Sequence, residues 1–183
     1  PIESVLLGNL GKTYMDLGQS RKAIEFCVQA LKIAEDIGDK KEEEHHLGAL
    51  GRAYIHLGQL NKAIELLERA LEISCEIGDR RGEGDHLSNL SVAYSAKNKL
   101  REAFKLCEQA LKISREIGDR RLEGRSLNNL GNIYYIQKKT HKAIKFYEQA
   151  LEIACEIEDR RSEGIRLGNL GLAYSYLGEL LKA

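Results

Sequence analysis

Proline and tryptophan are almost missing from this chain. Of 183 residues one is proline, at position 1, and none is tryptophan, beside one Met and three Phe. With no proline after the first residue, no point in the interior is closed to helix by a missing amide or a ring clash. A charge excess is missing too. Lys plus Arg number 28 and Asp plus Glu 28, which removes the basic surplus of a general nucleic-acid binder. No apolar run approaches the roughly 18 residues a membrane span needs, and no signal-peptide pattern is present. A cytoplasmic protein is the expectation. The chain opens on Pro1 rather than Met and stops at Ala183 inside a repeat, so it reads as a piece of a longer protein.

Cysteines are few and badly spaced for chemistry. Cys27 and Cys107 share one sequence phase, Cys75 and Cys155 another, each pair 80 residues apart, and no CxxC occurs. In a stack of helices about 8–10 Å apart, two repeats separate such partners by roughly 20 Å. A disulfide needs Cα atoms within about 7 Å. All four are expected to be buried, reduced thiols.

What the chain does have is a 40-residue period. "DIGDKKEEE" from Asp36 returns as "EIGDRRGEG" from Glu76, "EIGDRRLEG" from Glu116 and "EIEDRRSEG" from Glu156. Between these joints lie "LGNLGKTYMDLG" (7–18), "LGALGRAYIHLG" (47–58), "LSNLSVAYSAKN" (87–98), "LNNLGNIYYIQK" (127–138) and "LGNLGLAYSYLG" (167–178). Leu, Leu and Tyr at steps of three and four, such as Leu47, Leu50 and Tyr54, share one helical stripe. Ala63, Leu67, Ala70, Leu71, Ser74 and Ile77 make a second stripe, so each repeat is two amphipathic helices. Gly18, Gly58 and Gly178 are expected to end the first helix, with Asn98 the next best residue there and Lys138 an altered or strained turn. Gly38, Gly78 and Gly118 stop the second helix, and the Asp that follows caps the next. Glu43, Glu83, Glu123 and Glu163 fall in the positive first turn. Small residues at 11, 51, 91, 131 and 171 are expected to let helices approach closely. Repeats run 4–43, 44–83, 84–123 and 124–163, with a partial one at 164–183, in one solenoid over 1–183.

These residues carry a resemblance. "L-x-x-L-G-x-x-Y" followed by "A-x-x-x-[CLY]-x-x-A" resembles the tetratricopeptide repeat family, with Leu where that pattern has Trp. The 40-residue period, "NLGxAY" and "EIGDRRxEG" are similar to the array of the LGN/Pins polarity adaptors and to many bacterial arrays. The resemblance implies an all-α, right-handed superhelix of antiparallel helix pairs, with first helices lining a concave groove that binds a protein or peptide. Position one of the family register falls on Ser4, Glu44, Gly84, Gly124 and Gly164. Positions two, five, nine, twelve and thirteen then give Lys12, His45, Arg52, Asp85, Arg125, Asn128, Asn132, Tyr135 and Tyr176 as the polar or aromatic groove residues. Arg125 and Tyr135 stand out as interface anchors. Position five is small in most repeats, which leaves room for a ligand backbone. The family's carboxylate clamp is not reproduced, since Gly8 and Lys12 stand where it needs Lys and Asn.

Asn9, Asn89, Asn129 and Asn169 recur at position six. They offer either a ladder of amides for a peptide backbone or bonds that hold the stack together. No metal is expected: Glu44, His45 and His46, or Asp85 and His86, are adjacent rather than convergent, and the histidines read as solvated. No nucleophile elbow, phosphate loop or zinc-protease helix is present, so neither enzyme activity nor a cofactor is expected. The Tyr at 14, 54, 94, 134 and 174 read as packing. The reading that results is an interaction scaffold. A regulatory arm of a larger signalling ATPase or enzyme, or a self-assembling rod, are the alternatives. Leu7, Leu10 and Tyr14 at one end and Leu170, Tyr174 and Leu177 at the other are expected to lack cover, with the last helix only begun at Leu180, Leu181 and Ala183. Self-association through those ends follows.

Overall fold

The computed structural model describes the backbone of residues 2–180 and the side chains of 2–178. Within them the chain is helix throughout: α1 (Ile2–Asp16), α2 (Ser20–Ile37), α3 (Lys40–His56), α4 (Leu60–Ile77), α5 (Arg80–Ala96), α6 (Leu100–Glu116), α7 (Arg120–Ile136), α8 (Thr140–Glu156) and α9 (Arg160–Leu180). Leu181 and Ala183, read above as the start of a further helix, lie outside the described residues.

One turn geometry separates all of them. Residues 18, 38, 58, 78, 98, 118, 138 and 158 sit in the left-handed region, with φ between 56° and 73°. In each turn the next amide reaches back to close the helix end, for example Gln19 N–H to the Tyr14 carbonyl at 2.8 Å and Asp159 N–H to Ala154 at 2.9 Å. Lys138 (φ 60°) and Glu158 (φ 56°) make the same turn that Gly makes elsewhere. Of the altered or strained turn expected at Lys138 the second is found: the turn is unaltered, and an L residue holds a left-handed conformation unfavourable to its Cβ. Gly178 does not end a helix, because α9 runs through it to Leu180. The Asp after each joint accepts from the third amide of the next helix: Asp39 from Glu42, Asp79 from Gly82, Asp119 from Leu122 and Asp159 from Ser162.

Curvature follows from which helices touch. Every helix packs on its chain neighbours, and α1 also packs on α3, α3 on α5, and α5 on α7; no even-numbered pair does so to that extent. The odd helices therefore form the tight inner row and the even helices the splayed outer row, which bends the stack into a groove. The bend brings Arg161 Nη1, at the start of α9, within 3.9 Å of Asp16 Oδ1 at the end of α1.

Between the rows lies a continuous core. Leu47, Leu50, Leu67, Leu90, Leu127 and Leu130 are almost wholly buried, each such side chain contributing about 1.5–3 kcal/mol by leaving water. Close approach is real at Gly51 and Gly131, where an added Cβ would meet Leu67 and Tyr147 at 2.5 Å. At Gly171 it is not, since nothing lies within 4 Å. Of the cysteines, Cys27 and Cys107 are buried as expected, whereas Cys75 and Cys155 are exposed. The latter pair falls on the outward side of α4 and α8, which no further layer covers. Burial pushes the Cys107 thiol up to about 12. Of the tyrosines, Tyr54 is buried; Tyr174, 51% exposed, is not core, and its hydroxyl donates to Glu148 at 3.0 Å.

The joint motif does more than stop and start helices. Arg80 holds both Glu83 of its own helix and Glu116 of the next repeat, and Arg120 does the same with Glu123 and Glu156. Arg81 reaches Asp119 at 3.2 Å and Arg121 reaches Asp159 at 3.7 Å. Neighbouring joints are thus tied by a ladder of half-exposed ion pairs. Water and salt screen such exposed pairs, so the rungs fix the register of the joints more than they stabilise the fold.

Candidate binding groove

The inner row presents the register positions named from the sequence. Lys12 and His45 are exposed on α1 and α3; Arg52, Asp85, Arg125, Asn132, Tyr135 and Tyr176 are half-buried; Asn128 is buried. Two pairs of these residues meet each other directly. Arg125 Nη2 donates to Asp85 Oδ1 one repeat back, and the rings of Tyr135 and Tyr176 meet edge to face with centroids 6.0 Å apart. Asn132 and Asn128 face their neighbours as well. Asn132 Oδ1 accepts from the Tyr147 hydroxyl at 2.8 Å, and Asn128 Oδ1 accepts from Asn169 Nδ2 at 2.8 Å.

The Asn series divides along the stack. Asn9 is exposed and Asn89 buried. Asn129 donates to the Ser88 hydroxyl at 3.2 Å, and Asn169 to Asn128. Both of these amides bind the previous inner helix.

Position five holds a correction. The space above Gly8 and Gly48 is not left for a ligand: a Cβ on Gly8 would stand 2.5 Å from His46 Cε1, and His86 covers Gly48 in the same way. Nor are those histidines solvated, being 1% and 4% exposed. His46 Nε2 lies 2.9 Å from Ser4 Oγ, and His86 Nε2 pairs with buried Glu44. Each imidazole is a wedge from one repeat bonded to position one of the repeat before. Burial, then His45, lowers the His46 pKa to about 4. Asp39 acts the other way and is outweighed. The 40-residue echo of His46 in His86 was visible; that the Gly at position five makes room for the histidine of the following repeat was not.

Beyond the histidines the groove opens into a recess of about 370 Å³ between α5 and α7, lined by Val92, Ser95, Ala96, Asn132, Tyr135 and Ile136 among others. Val92 and Ile136 are 37% and 48% exposed. The register places these apolar residues in the groove, but a search for polar and aromatic anchors passes over all except Asn132 and Tyr135. Charge gathers beside the recess. Arg52 is half-buried, and among the described residues no carboxylate comes within ion-pair distance of it. Burial and then Arg125 lower its pKa, while Asp85 and Asp16 act the other way from further off. Among the described residues no group of three or more His, Cys, Asp or Glu could hold a metal, and no helix is long and apolar enough to cross a membrane.

Solved structures share this architecture. The chain superposes on a Rap protein complexed with Competence and Sporulation Factor with a TM-score of 0.89 at 18% identity, covering 99% of this chain and 50% of that one. A kinesin light chain-like repeat protein of Podosopora anserina gives 0.72 at 23% identity, covering 100% and 91%. A signal transduction ATPase from Pyrococcus horikoshii, described as having a tetratricopeptide repeat sensor, gives 0.76 at 22%, covering 94% and 27%. At these identities the likeness shows the fold alone. No curated protein matches the sequence significantly. The tetratricopeptide repeat model matches residues 2–76 and 82–156, and with the helix pairs and their inner row this chain belongs to the tetratricopeptide repeat family.

Proposed function

We propose that this chain is a non-catalytic interaction module whose inner row, α1 to α9, holds a peptide segment or helix of a partner protein. The observation that carries the reading is the recess between α5 and α7. It is an apolar hollow left open on the concave face, and the residues around it change from repeat to repeat while the core does not. Tyr135 lines it, and Arg125 lies one helical turn before the lining Asn129 on α7; these two are the anchors, and the carbonyl oxygens of the Asn series offer further bonds to a peptide backbone. The similar Rap protein is described in complex with a named factor, which agrees with ligand binding by this architecture. An LGN/Pins-like adaptor in the cytoplasm, built as one array over 1–183, is the specific form this reading takes. A second reading makes the array the sensing arm of a larger signalling ATPase or enzyme; the similar Pyrococcus horikoshii protein favours it.

The test is selection of linear peptides from a random library on the immobilised chain, followed by affinity measurement in solution. Arg125→Ala with Tyr135→Ala is expected to weaken a selected peptide by at least about 2 kcal/mol while leaving helicity intact. Equal affinity for variant and parent would move the site off the concave face.

A further inference from the structure

We propose that the groove selects a peptide carrying one carboxylate close to one large apolar side chain, the carboxylate between Arg52 and Arg125 and the apolar group in the recess beside them. This deepens the peptide-binding reading above and rests on it.

The charge count is the first support. Arg125 is paired with Asp85, but its Nε is buried and unpartnered. Arg52 is half-buried and has no ion pair among the described residues. Arg52 and Arg125 each act against the other's charge; Asp85 pairs with Arg125 and Asp16 with Arg161, so neither nearby carboxylate is in ion-pair contact with Arg52. Lys12 adds a further positive charge from α1. A cation that has given up part of its hydration without gaining a partner is costly. The planar guanidinium fork suits a carboxylate with two parallel bonds. An incoming carboxylate therefore recovers at Arg52 what the fold leaves unmet.

The second support is adjacency. Val92 occupies in α5 the register position that Arg52 occupies in α3, 40 residues earlier, and Val92 lines the recess. Consecutive inner helices lie about 8–10 Å apart, and an extended chain advances about 3.3 Å per residue. Carboxylate and apolar group should therefore stand about two to four residues apart in the ligand. The recess makes no distinction of sequence; its Val92, Ala96 and Ile136 walls ask only for apolar bulk.

The test uses the whole chain and a phage library of random linear 12-residue peptides. Enriched sequences are synthesised with free and amidated C-termini and with each Glu or Asp replaced by its amide, and affinities are read by fluorescence anisotropy. Expected are sequences with Asp or Glu two to four residues from Leu, Ile, Met or an aromatic. Arg52→Gln and the ligand's Glu→Gln should each weaken binding at least tenfold, and their combination should cost little more than either alone. If amidation rather than Glu→Gln causes the loss, the carboxylate is the peptide's own terminus. Selected peptides that need Tyr135 and Ile136 yet carry no acid, or bind Arg52→Gln unchanged, would overturn the anion site and leave the groove reading standing. Peptides indifferent to Tyr135→Ala and Ile136→Ser, or no selectable peptide at all, would overturn both.

Discussion

A single atom added at position 8 or 48 would collide with an imidazole from the following repeat, so these two glycines are explained by histidines 38 residues further on. His46 must remain neutral to sit there, and its lowered pKa gives stability a pH dependence. The unfolded imidazole, near the ordinary value of about 6.5, takes up a proton before the folded one does at about 4. Stability is therefore full above about pH 6.5 and falls as pH drops towards 4. By pH 5 the loss should be about 2 kcal/mol, ahead of the carboxylates Glu43, Glu44 and Glu123, whose pairing holds them ionised despite burial. Urea unfolding at pH 7 and pH 5 measures it. His46→Gln should remove most of the difference, and a wild-type midpoint that does not move between the two would show that the imidazole is not held neutral.

Helices here are set by their ends. The left-handed residue recurs every 20 positions, Gly at five of them and Asn98, Lys138 and Glu158 at the other three. Lys138 and Glu158 hold a conformation that costs an L residue about 1–2 kcal/mol, offset by the packing of the helices on either side. Lys138→Gly should stabilise the protein by about 0.5–1 kcal/mol, after allowing for the entropy Gly gains when unfolded. Gly78→Val should destabilise by roughly 1–3 kcal/mol. Because solenoid stability is close to a sum over neighbours, hydrogen exchange should rise first around residues 70–90 in the Val variant. Thermal melts give both signs, and a Lys138→Gly protein no more stable than its parent would mean that the Lys side chain contributes something Gly cannot replace.

At the scale of the molecule, the same register position has different fates along the stack. Leu50, Leu90 and Leu130 are each 2% exposed, whereas Leu10 is 44% exposed. Leu47 and Leu127 are buried, whereas Leu167 is 56% exposed, with Leu172 at 62%. Leu170, one of the residues expected to lack cover, is instead buried against α8, with Leu177 packed beside it. Exposed apolar residues gather at the two ends, Ile2, Leu6 and Leu10 on α1 with Leu17 just after it, and Ile165, Leu167 and Leu172 on α9. Contiguous patches of this kind seek cover. The 183-residue chain should associate with rising concentration in sedimentation experiments, and Leu6→Glu with Leu10→Glu, or Leu167→Glu with Leu172→Glu, should each reduce it. A monomer at millimolar concentration would refute this.

The helices, their pairing and their joints were legible in the chain because they depend on local chemistry repeated at a fixed interval. Apolar residues at three- and four-residue steps, Gly at the left-handed turns and Asp at the caps act within a few residues of themselves. Gly178 misled, because α9 continues through it to Leu180: a glycine permits a left-handed turn but does not impose one. What lies between repeats was decided by the tertiary structure. The wedge of His46 on Gly8, the ladder from Arg80 to Glu116 and the pairing of Arg125 with Asp85 each join residues some 36–40 positions apart. The same is true of the recess. Its walls are ordinary apolar residues whose meaning depends on two inner helices curving apart far enough to leave them uncovered, a property of the stack that no single repeat contains.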